Sequence, residues 1–411
     1  MSVSGHGGTS GQGDHRRWMG VGRSRNPDSR VAAEQAAQIA LLGSQPKLLL
    51  VFAGIDHDPA ALLDGLREVA AGVPVIGCST HGEIAPGGPR DGTVVVTAIG
   101  GPGFSVASAV AEEVSGRQRA AGAEVAGCAA TLDPGQGSGK DSLAEFPHRV
   151  LLLLTDGLVR DQEAILRGCY SVLGASIPLF GGAAADGWRM TGPFLLGDGR
   201  VLSNAVVAAT IASDAPLSVS VRHGWAKLGE PMIVTGSGNG RVYTLDDRPA
   251  LDVYLDRLGA PHEAYTNAEA FTDFALPRPL GVQRRSGIEA RNLSTEVDIE
   301  GRSIGGGSAI DHGGLVWALT GDEESIMAAT DTACEQALAG LGGHDPVGLL
   351  TFSCAALRAV LGEDGIQREA DRLAKWAAGA PFAGFHTYGE IARIRGIDGF
   401  HNQTLAILAL S

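Results

Sequence analysis

One pattern recurs three times along the chain and limits the folds open to it. A short apolar strand is followed by a helix, a second apolar strand that contains a proline, and a glycine-rich turn. The first strands are the runs at 47–53, 149–155 and 347–352. Continuous apolar runs of this length are typical of strands buried on both faces. The repeats lie about 100 residues or more apart, which is too far for a solenoid.

We therefore predict an α/β fold with mixed sheets: two pseudo-symmetric α/β halves built from repeated strand–helix–strand–Gly-turn units. Strand-like segments after each turn, such as 92–99, favour mixed over purely parallel sheets. A chain of 411 residues is expected to form two domains. We predict a disordered leader at 1–17, an N-terminal domain at 18–240 and a C-terminal domain at 241–411.

Composition excludes several classes of function. The formal net charge of −14 argues against nucleic-acid binding, because phosphate contacts need clustered Lys and Arg. The five cysteines are odd in number and lack CxxC spacing, which argues against a disulfide framework or a structural zinc site. No apolar run is long enough to span a membrane, and the first residues lack the apolar core of a signal peptide. We expect a cytoplasmic protein that contacts neither membrane nor nucleic acid.

Two of the glycine-rich turns are near-copies of each other. GCSTHGEI occupies 77–84 and GFHTYGEI occupies 384–391, each just past a buried strand. Ligands of open α/β sheets bind beyond the carboxyl ends of strands. Glu83 and Glu390 suit a ligand amine, and equally suit neighbouring backbone N–H groups that would close the turn. Both interpretations stand at this point.

Three further side chains are candidates for chemistry. Asp186, in the third turn, caps a helix or contacts a ligand. Cys354 is a small core residue, or a reactive thiol if a neighbour such as Arg358 lowers its pKa. His223 is a strand-end residue, a polar anchor, or a ligand of haem or another metal.

Known catalytic and nucleotide-binding motifs are absent from the sequence. There is no GxSxG elbow, P-loop, HExxH or strand-linked GxGxxG, and His and Cys are not clustered as metal ligands. We therefore predict that the protein is not an enzyme and has no metal or cofactor of its own.

Several segments, in this order and spacing, resemble the FIST family, whose members carry an N-terminal and a C-terminal FIST domain. In the N-terminal part they are PVIGCSTHGEI (74–84), VLLLLTDGL (150–158) and IPLFGGAAADG (177–187). In the C-terminal part they are RVYTLDDRPALDVYLDRLG (241–259) and PFAGFHTYGEI (381–391). The likeness runs over nearly the whole chain from residue 18.

The resemblance implies a bacterial sensory domain for signal transduction, which binds a small ligand such as an amino acid and acts through a partner protein. It places the ligand in a cleft lined by the turns, with these candidate contacts: Cys78, Ser79, Thr80, Glu83, Asp186, Cys354, Thr387, Tyr388 and Glu390. The sequence departs from the family pattern at two positions. The family often has an Arg three residues after the cysteine of TFSC, where this chain has Leu357 followed by Arg358, and His81 stands where a small residue is common.

Two alternatives remain open at the level of sequence. Some members of the family resemble haem-binding nitric-oxide sensors, and here His223, His81 or His386 would be the axial ligand. A cysteine-dependent enzyme would use Cys354 or Cys78 as its nucleophile.

Overall fold

The computed structural model describes residues 16–132, 145–284, 287–292, 296–306, 310–393 and 399–411. Most of the predicted leader lies outside these residues. Its last two members, Arg16 and Arg17, pair with the carboxylate of Asp214, and Arg17 also donates to the carbonyl of Ser411 at 2.7 Å. The chain therefore joins the folded body from residue 16 onward.

The first repeat unit opens the fold. Its elements are β1 (Trp18–Ser24), α1 (Ser29–Ala40), β2 (Pro46–Gly54), α2 (Pro59–Val69), β3 (Val75–Thr80), β4 (Glu83–Ile84) and β5 (Val94–Gly100). Both helices begin as the sequence directs: the side chains of Asp28 and Asp58 accept hydrogen bonds from first-turn amides.

The second unit follows the same plan. Its elements are β6 (Phe104–Ala111), α3 (Gln118–Ala126), α4 (Cys128–Thr131), β7 (His148–Asp156), α5 (Gln162–Leu173), β8 (Leu179–Ala184), β9 (Leu195–Gly197), β10 (Arg200–Leu202) and β11 (Val206–Ser213).

A strand and a separate sheet precede the third unit. They comprise β12 (Leu217–Arg222), β13 (Ala226–Gly238), β14 (Arg241–Leu245), β15 (Arg248–Pro249), α6 (Ala250–Leu258), a 3₁₀ turn (His262–Tyr265), α7 (Ala268–Ala275), β16 (Leu280–Arg284), β17 (Gly287–Arg291), β18 (Glu296–Asp298), β19 (Ser303–Gly305) and β20 (Leu315–Thr320). The sheet β17-β16-β20-β13-β14-β19-β18, with β15 beside β14, encloses its own apolar core around Tyr254 and Phe271.

The third unit closes the chain. Its elements are α8 (Glu323–Ala339), β21 (Gly348–Cys354), α9 (Ala355–Ala377), β22 (Phe382–Thr387), β23 (Glu390–Arg393), β24 (Phe400–His401) and β25 (Leu405–Leu410). Helix α9 breaks at Gly362, whose φ of 66° and ψ of 179° are not helical.

The three units build mixed sheets of one design. Each pairs its two central strands in parallel (β2 with β3, β7 with β8, β21 with β22) and adds an antiparallel third strand (β5, β11 or β25). The prediction of an α/β fold with mixed sheets and repeated strand–helix–strand–turn units is confirmed.

A glycine is required at the same point of each unit. A Cβ atom added to Gly77, Gly181 or Gly384 would lie 2.4, 1.9 or 1.5 Å from the carbonyl oxygen of Val51, Leu153 or Thr351 on the neighbouring strand. Such contacts are far inside van der Waals distance, so the paired strands approach this closely only where no side chain intervenes.

The units are interlocked through their edge strands. The short β4 of the first unit pairs with β22 of the third, β23 of the third pairs with β8 of the second, and β9 of the second pairs with β3 of the first. The three sheets enclose a central core in which Phe352 lies 5.6, 4.8 and 4.7 Å, between ring centroids, from Phe52, Phe180 and Phe385. The exchange forms a closed cycle that brings all three glycine-rich turns together.

Candidate functional site

The turns that follow β3, β8 and β22 are hydrogen-bonded to one another. The amide of His81 donates to the carbonyl of His386 at 3.0 Å, and that of Tyr388 to the carbonyl of Ala183 at 3.2 Å. The amide of Ala185 donates to the carbonyl of Ser79 at 3.0 Å. Strand ends that are distant in sequence therefore form one junction.

The two turn glutamates point into the protein and are engaged there. Glu83 accepts from the hydroxyl of Thr80 and from the amide and hydroxyl of Thr93, the latter two at 2.8 and 2.7 Å. Glu390 accepts from the amide and hydroxyl of Thr404 at 3.1 and 2.7 Å. Each carboxyl ties its turn to the start of the next long strand, as the turn-closing interpretation requires.

Burial sets the ionisation of both glutamates. Each is fully buried, and this desolvation raises the pKa of Glu83 to about 7 and that of Glu390 to about 8, against the hydrogen bonds that favour the anion. The side chains lie inside the junction and not on its surface.

The remaining candidates from the two repeated turns also face inward. Ser79 exchanges hydrogen bonds with the backbone of Phe194, and the hydroxyl of Thr387 donates to carbonyl oxygens of Ala183 and Gly389. The hydroxyl of Thr80 donates to the carboxylate of Glu83, as described above. These hydroxyls hold the turns in register with one another.

The two candidate thiols are buried in apolar clusters. Burial, followed by the negative charge of the neighbouring Glu83 or Glu390, raises the pKa of Cys78 and of Cys354 well above the ordinary value. Both thiols are therefore protonated at neutral pH, the state least suited to nucleophilic attack. All five cysteines are free.

Asp186 organises the third turn. It accepts hydrogen bonds from the amides of Met190, Thr191 and Gly192 at 3.1, 2.8 and 3.0 Å, and from the hydroxyl of Tyr388 at 2.6 Å. Burial alone would raise the pKa of Asp186, but these four donors lower it overall. The ionised carboxylate wraps the segment 187–192 around itself.

This wrapping holds Trp188 in a strained conformation. Its φ of 65° lies in the left-handed region, which is a genuine outlier for a bulky residue. The amide of Trp188 donates to the hydroxyl of Tyr388 at 2.6 Å, and the indole remains 39% exposed. Strain of this kind concentrates at functional sites, where the surrounding contacts impose it.

Three rings meet where the turns meet. The indole of Trp188 stacks on Tyr388 with centroids 5.2 Å apart and an interplanar angle of 25°, and the ring of His81 lies 5.0 Å from the indole. His81 and Tyr388 hold equivalent positions in the two repeated turns. We call the rings of His81, Trp188 and Tyr388 the aromatic junction.

Charged groups border the aromatic junction. Arg358, on the first turns of α9, donates to the carbonyl of His81 at 2.8 Å and pairs with the carboxylates of Asp91 and Glu363. Arg189, next to Trp188 in the chain, pairs with Asp56 at 2.8 Å. A ligand lying on the rings would therefore have both signs of charge within reach.

His223 acts as a polar anchor away from this junction. Its Nδ1 accepts from the amide of Trp225 at 3.2 Å, and its Nε2 donates to the carbonyl of Ile288 at 2.7 Å. Burial lowers its pKa, so the ring is neutral. With both nitrogens bonded to backbone, the ring has no position open for haem iron.

Among the described residues, no group of three or more His, Cys, Asp or Glu side chains is arranged to hold a metal ion. Within the same residues, no helix combines the length and apolar character needed to cross a bilayer.

Sequence reasoning found Tyr388 and Asp186 but missed Trp188. No local pattern at the Gly187-Trp188 pair marked the indole as an exposed ring. Its left-handed backbone had no sequence signature, because glycine, asparagine or aspartate would ordinarily stand at such a position.

The fold and the joined turns define a mixed α/β protein whose repeated units share their edge strands around an aromatic cluster. Models of the FIST N domain and the FIST C domain match residues 47–248 and 250–393. The chain belongs to the FIST family. FIST domains are associated with signal transduction and with the sensing of small ligands.

The chain is also similar to two uncharacterized proteins of Mycobacterium tuberculosis, from strains H37Rv and CDC 1551. Each is 27% identical over 403 residues, which cover 95% of this chain and 98% of the relative. The likeness to these relatives therefore extends over both FIST domains.

Proposed function

We propose that this protein is a cytoplasmic signal-input protein that binds a small ligand on the aromatic junction and passes the signal to a partner protein. The observation that carries the proposal is the half-exposed indole of Trp188, held in a left-handed backbone by Asp186 and Tyr388. A fold maintains such strain where it serves a purpose. A planar or aliphatic ligand would gain apolar contact with the rings.

Ligands such as amino acids suit the surroundings of the rings. An ammonium group would lie near the carboxylates of Asp56 or Asp91, and a carboxylate near the guanidinium of Arg189 or Arg358. A few charged groups beside an apolar centre would orient the ligand. The turn glutamates are buried and bonded to threonines of their own units, so they do not enter the proposal as contacts.

Binding would reach a partner through the interlocked strands. The aromatic junction draws one ring from each of three turns, and each turn continues into a strand that pairs with another unit. A ligand that fixes the three rings would therefore favour one arrangement of the three sheets over others. The haem alternative gains no support at His223, whose ring nitrogens are both bonded to backbone, and the cysteine-dependent alternative gains none, because both thiols are protonated.

A ligand screen with paired variants tests the proposal. Full-length protein is screened by thermal shift against the common amino acids and metabolites at millimolar concentration, and a ligand at about 100 times its Kd should add roughly 2.7 kcal/mol of stability. Trp188→Gly removes the ring and suits the left-handed backbone, so we expect a folded protein that no longer responds.

Met190→Gly is the matched control. Met190 also has a positive φ, of 53°, and is 53% exposed, but it lies outside the aromatic junction. We expect Met190→Gly to keep the response. Absence of any stabilising ligand, or an equal response from Trp188→Gly, would refute the proposal.

A further inference from the structure

Close to the aromatic junction, His386 is a buried polar side chain without a hydrogen-bond partner among the described residues. The side chain of His386 is fully buried on β22, and neither of its ring nitrogens has a hydrogen-bond partner among the described residues. The Nδ1 atom of His81 is likewise buried without a partner there. Buried polar atoms are satisfied in the great majority of cases, so two such rings at one place need an explanation.

His81, His386 and Arg358 lie close to one another. His81 and His386 are joined by their backbones, through the 3.0 Å bond between them and a 2.9 Å bond from the amide of His386 to the carbonyl of Gly82. Arg358, 8% exposed, donates to the carbonyl of His81. Burial first, and then the charge of Arg358 and the nearby His81, lower the pKa of His386 well below its ordinary value. Both the histidines are neutral, because burial also lowers the pKa of His81 to about 4.

We infer that His386, His81 and Arg358 form a polar subsite that receives the carboxylate of a ligand whose remainder lies on the aromatic junction. The inference rests on the proposed function and adds the chemical class of the ligand. Each neutral imidazole offers one N–H donor and the guanidinium offers more, so the three groups together suit an anionic oxygen acceptor. The second nitrogen of His386 then accepts from a donor group on the ligand.

The present partners of Arg358 are of a kind that a ligand displaces. The side chains of Asp91 and Glu363 are 65% and 79% exposed, whereas that of Arg358 is 9% exposed, so water reaches both carboxylates but hardly reaches the guanidinium. Arg358 also stands on the short segment of α9 that precedes the break at Gly362. A ligand carboxylate therefore competes with two solvent-exposed carboxylates for a guanidinium that is itself buried.

Isothermal titration calorimetry of the full chain, which measures the affinities of benzoate and of benzamide, tests the subsite. The two compounds share a ring for the aromatic junction and differ in the charge of the group presented to His386. We expect benzoate to bind about 10-fold or more tightly than benzamide, as one charge-assisted hydrogen bond predicts. His386→Leu and Arg358→Gln should bring the two affinities to within about 2-fold of each other, the range left once that bond is lost.

A second readout does not depend on affinity. In protein labelled with ¹⁵N-histidine, the ring signals of His386, assigned with His386→Gln, should move on addition of benzoate. Signals that stay unmoved at saturation would mean that water alone satisfies the ring and would overturn the subsite. Because His386 loses no protein partner, His386→Leu should remain folded, and His386→Gln replaces it in the titrations if it does not.

The controls separate the two proposals. Trp188→Gly should abolish binding of both compounds. Equal binding of benzoate and benzamide, lost in Trp188→Gly, would refute the subsite and leave the aromatic junction standing. If neither compound binds, the subsite is refuted, and the metabolite screen alone then tests whether the aromatic junction binds a ligand.

Discussion

At the scale of single residues, the buried carboxyl groups of the turns make the stability of the folded state depend on pH. Burial raises the pKa of Glu390 to about 8 and that of Glu83 to about 7, above the ordinary value of 4.5. Between about pH 4.5 and pH 8 the folded state therefore holds more protons than the unfolded state, so the stability of the fold must fall as pH rises through this window. Below about pH 4.5 this stabilising effect is fully present.

Glu390→Gln should flatten this dependence. The amide keeps an oxygen for the two bonds from Thr404 and cannot ionise, so the variant should lose less stability than wild type between about pH 5 and pH 8. Urea unfolding at several pH values measures the difference. The substitution Glu68→Gln, on an exposed side chain, should change nothing. Burial also raises the pKa of Glu369, on α9, to about 7, so Glu369 and Glu83 will leave part of the slope in place. An unchanged wild-type slope in Glu390→Gln would refute the assignment.

The glycine that precedes each turn gives a sharper prediction. In Gly384→Ala the new methyl group would lie 1.5 Å from the carbonyl oxygen of Thr351. The strands would have to separate, which should destabilise the protein by about 3 kcal/mol or more. In the control Gly238→Ala the methyl group would meet nothing nearer than the side chain of Tyr243 at 3.8 Å. Urea midpoints of the two variants should differ strongly, and equal midpoints would contradict the packing argument.

At the scale of elements, the sequence predicted the parts better than their partners. The buried strands, the helices between them and the repeated turns follow from local apolar patterns, and the structure confirms them. The pairing of β4, β9 and β23 with strands of other units cannot be predicted from local patterns. These edge strands have only two to four residues, which is too short for a periodicity that would indicate the partner strand. Both roles of the turn glutamates were open for the same reason, since Thr93 and Thr404 become their partners only after folding.

Functional residues were hardest to predict where they depend on tertiary contacts. Asp186 and Tyr388 were selected from their turns, yet their shared task is to hold Trp188, which no local pattern identifies. Arg358 lies on the first turns of α9 and His386 lies on β22, and the two residues come together only because α9 packs against β22. Motif position therefore found the right turns but not which faces of them are exposed.

At the scale of the whole molecule, interlocking makes the three units interdependent. The boundary predicted at 240/241, like the break between the two family matches, divides sheets whose strands come from both sides. Strand β12 of the N-terminal side pairs with β25, β4 pairs with β22, and β23 pairs with β8. Each part alone would expose unpaired strand edges and one side of the central phenylalanine core.

We therefore expect fragments 16–248 and 250–411 to fold together but not separately. Expressed alone, each should bind a hydrophobic dye and lack near-UV circular dichroism; co-expressed, they should copurify with native spectra. Fragment 225–322 is the control, because every strand of its sheet and the core around Tyr254 lie within it, so it should unfold cooperatively by itself. If 16–248 alone shows native near-UV bands and a sharp thermal transition, the exchanged strands do not hold the molecule together, and a signal from the aromatic junction would need another route to the rest of the chain.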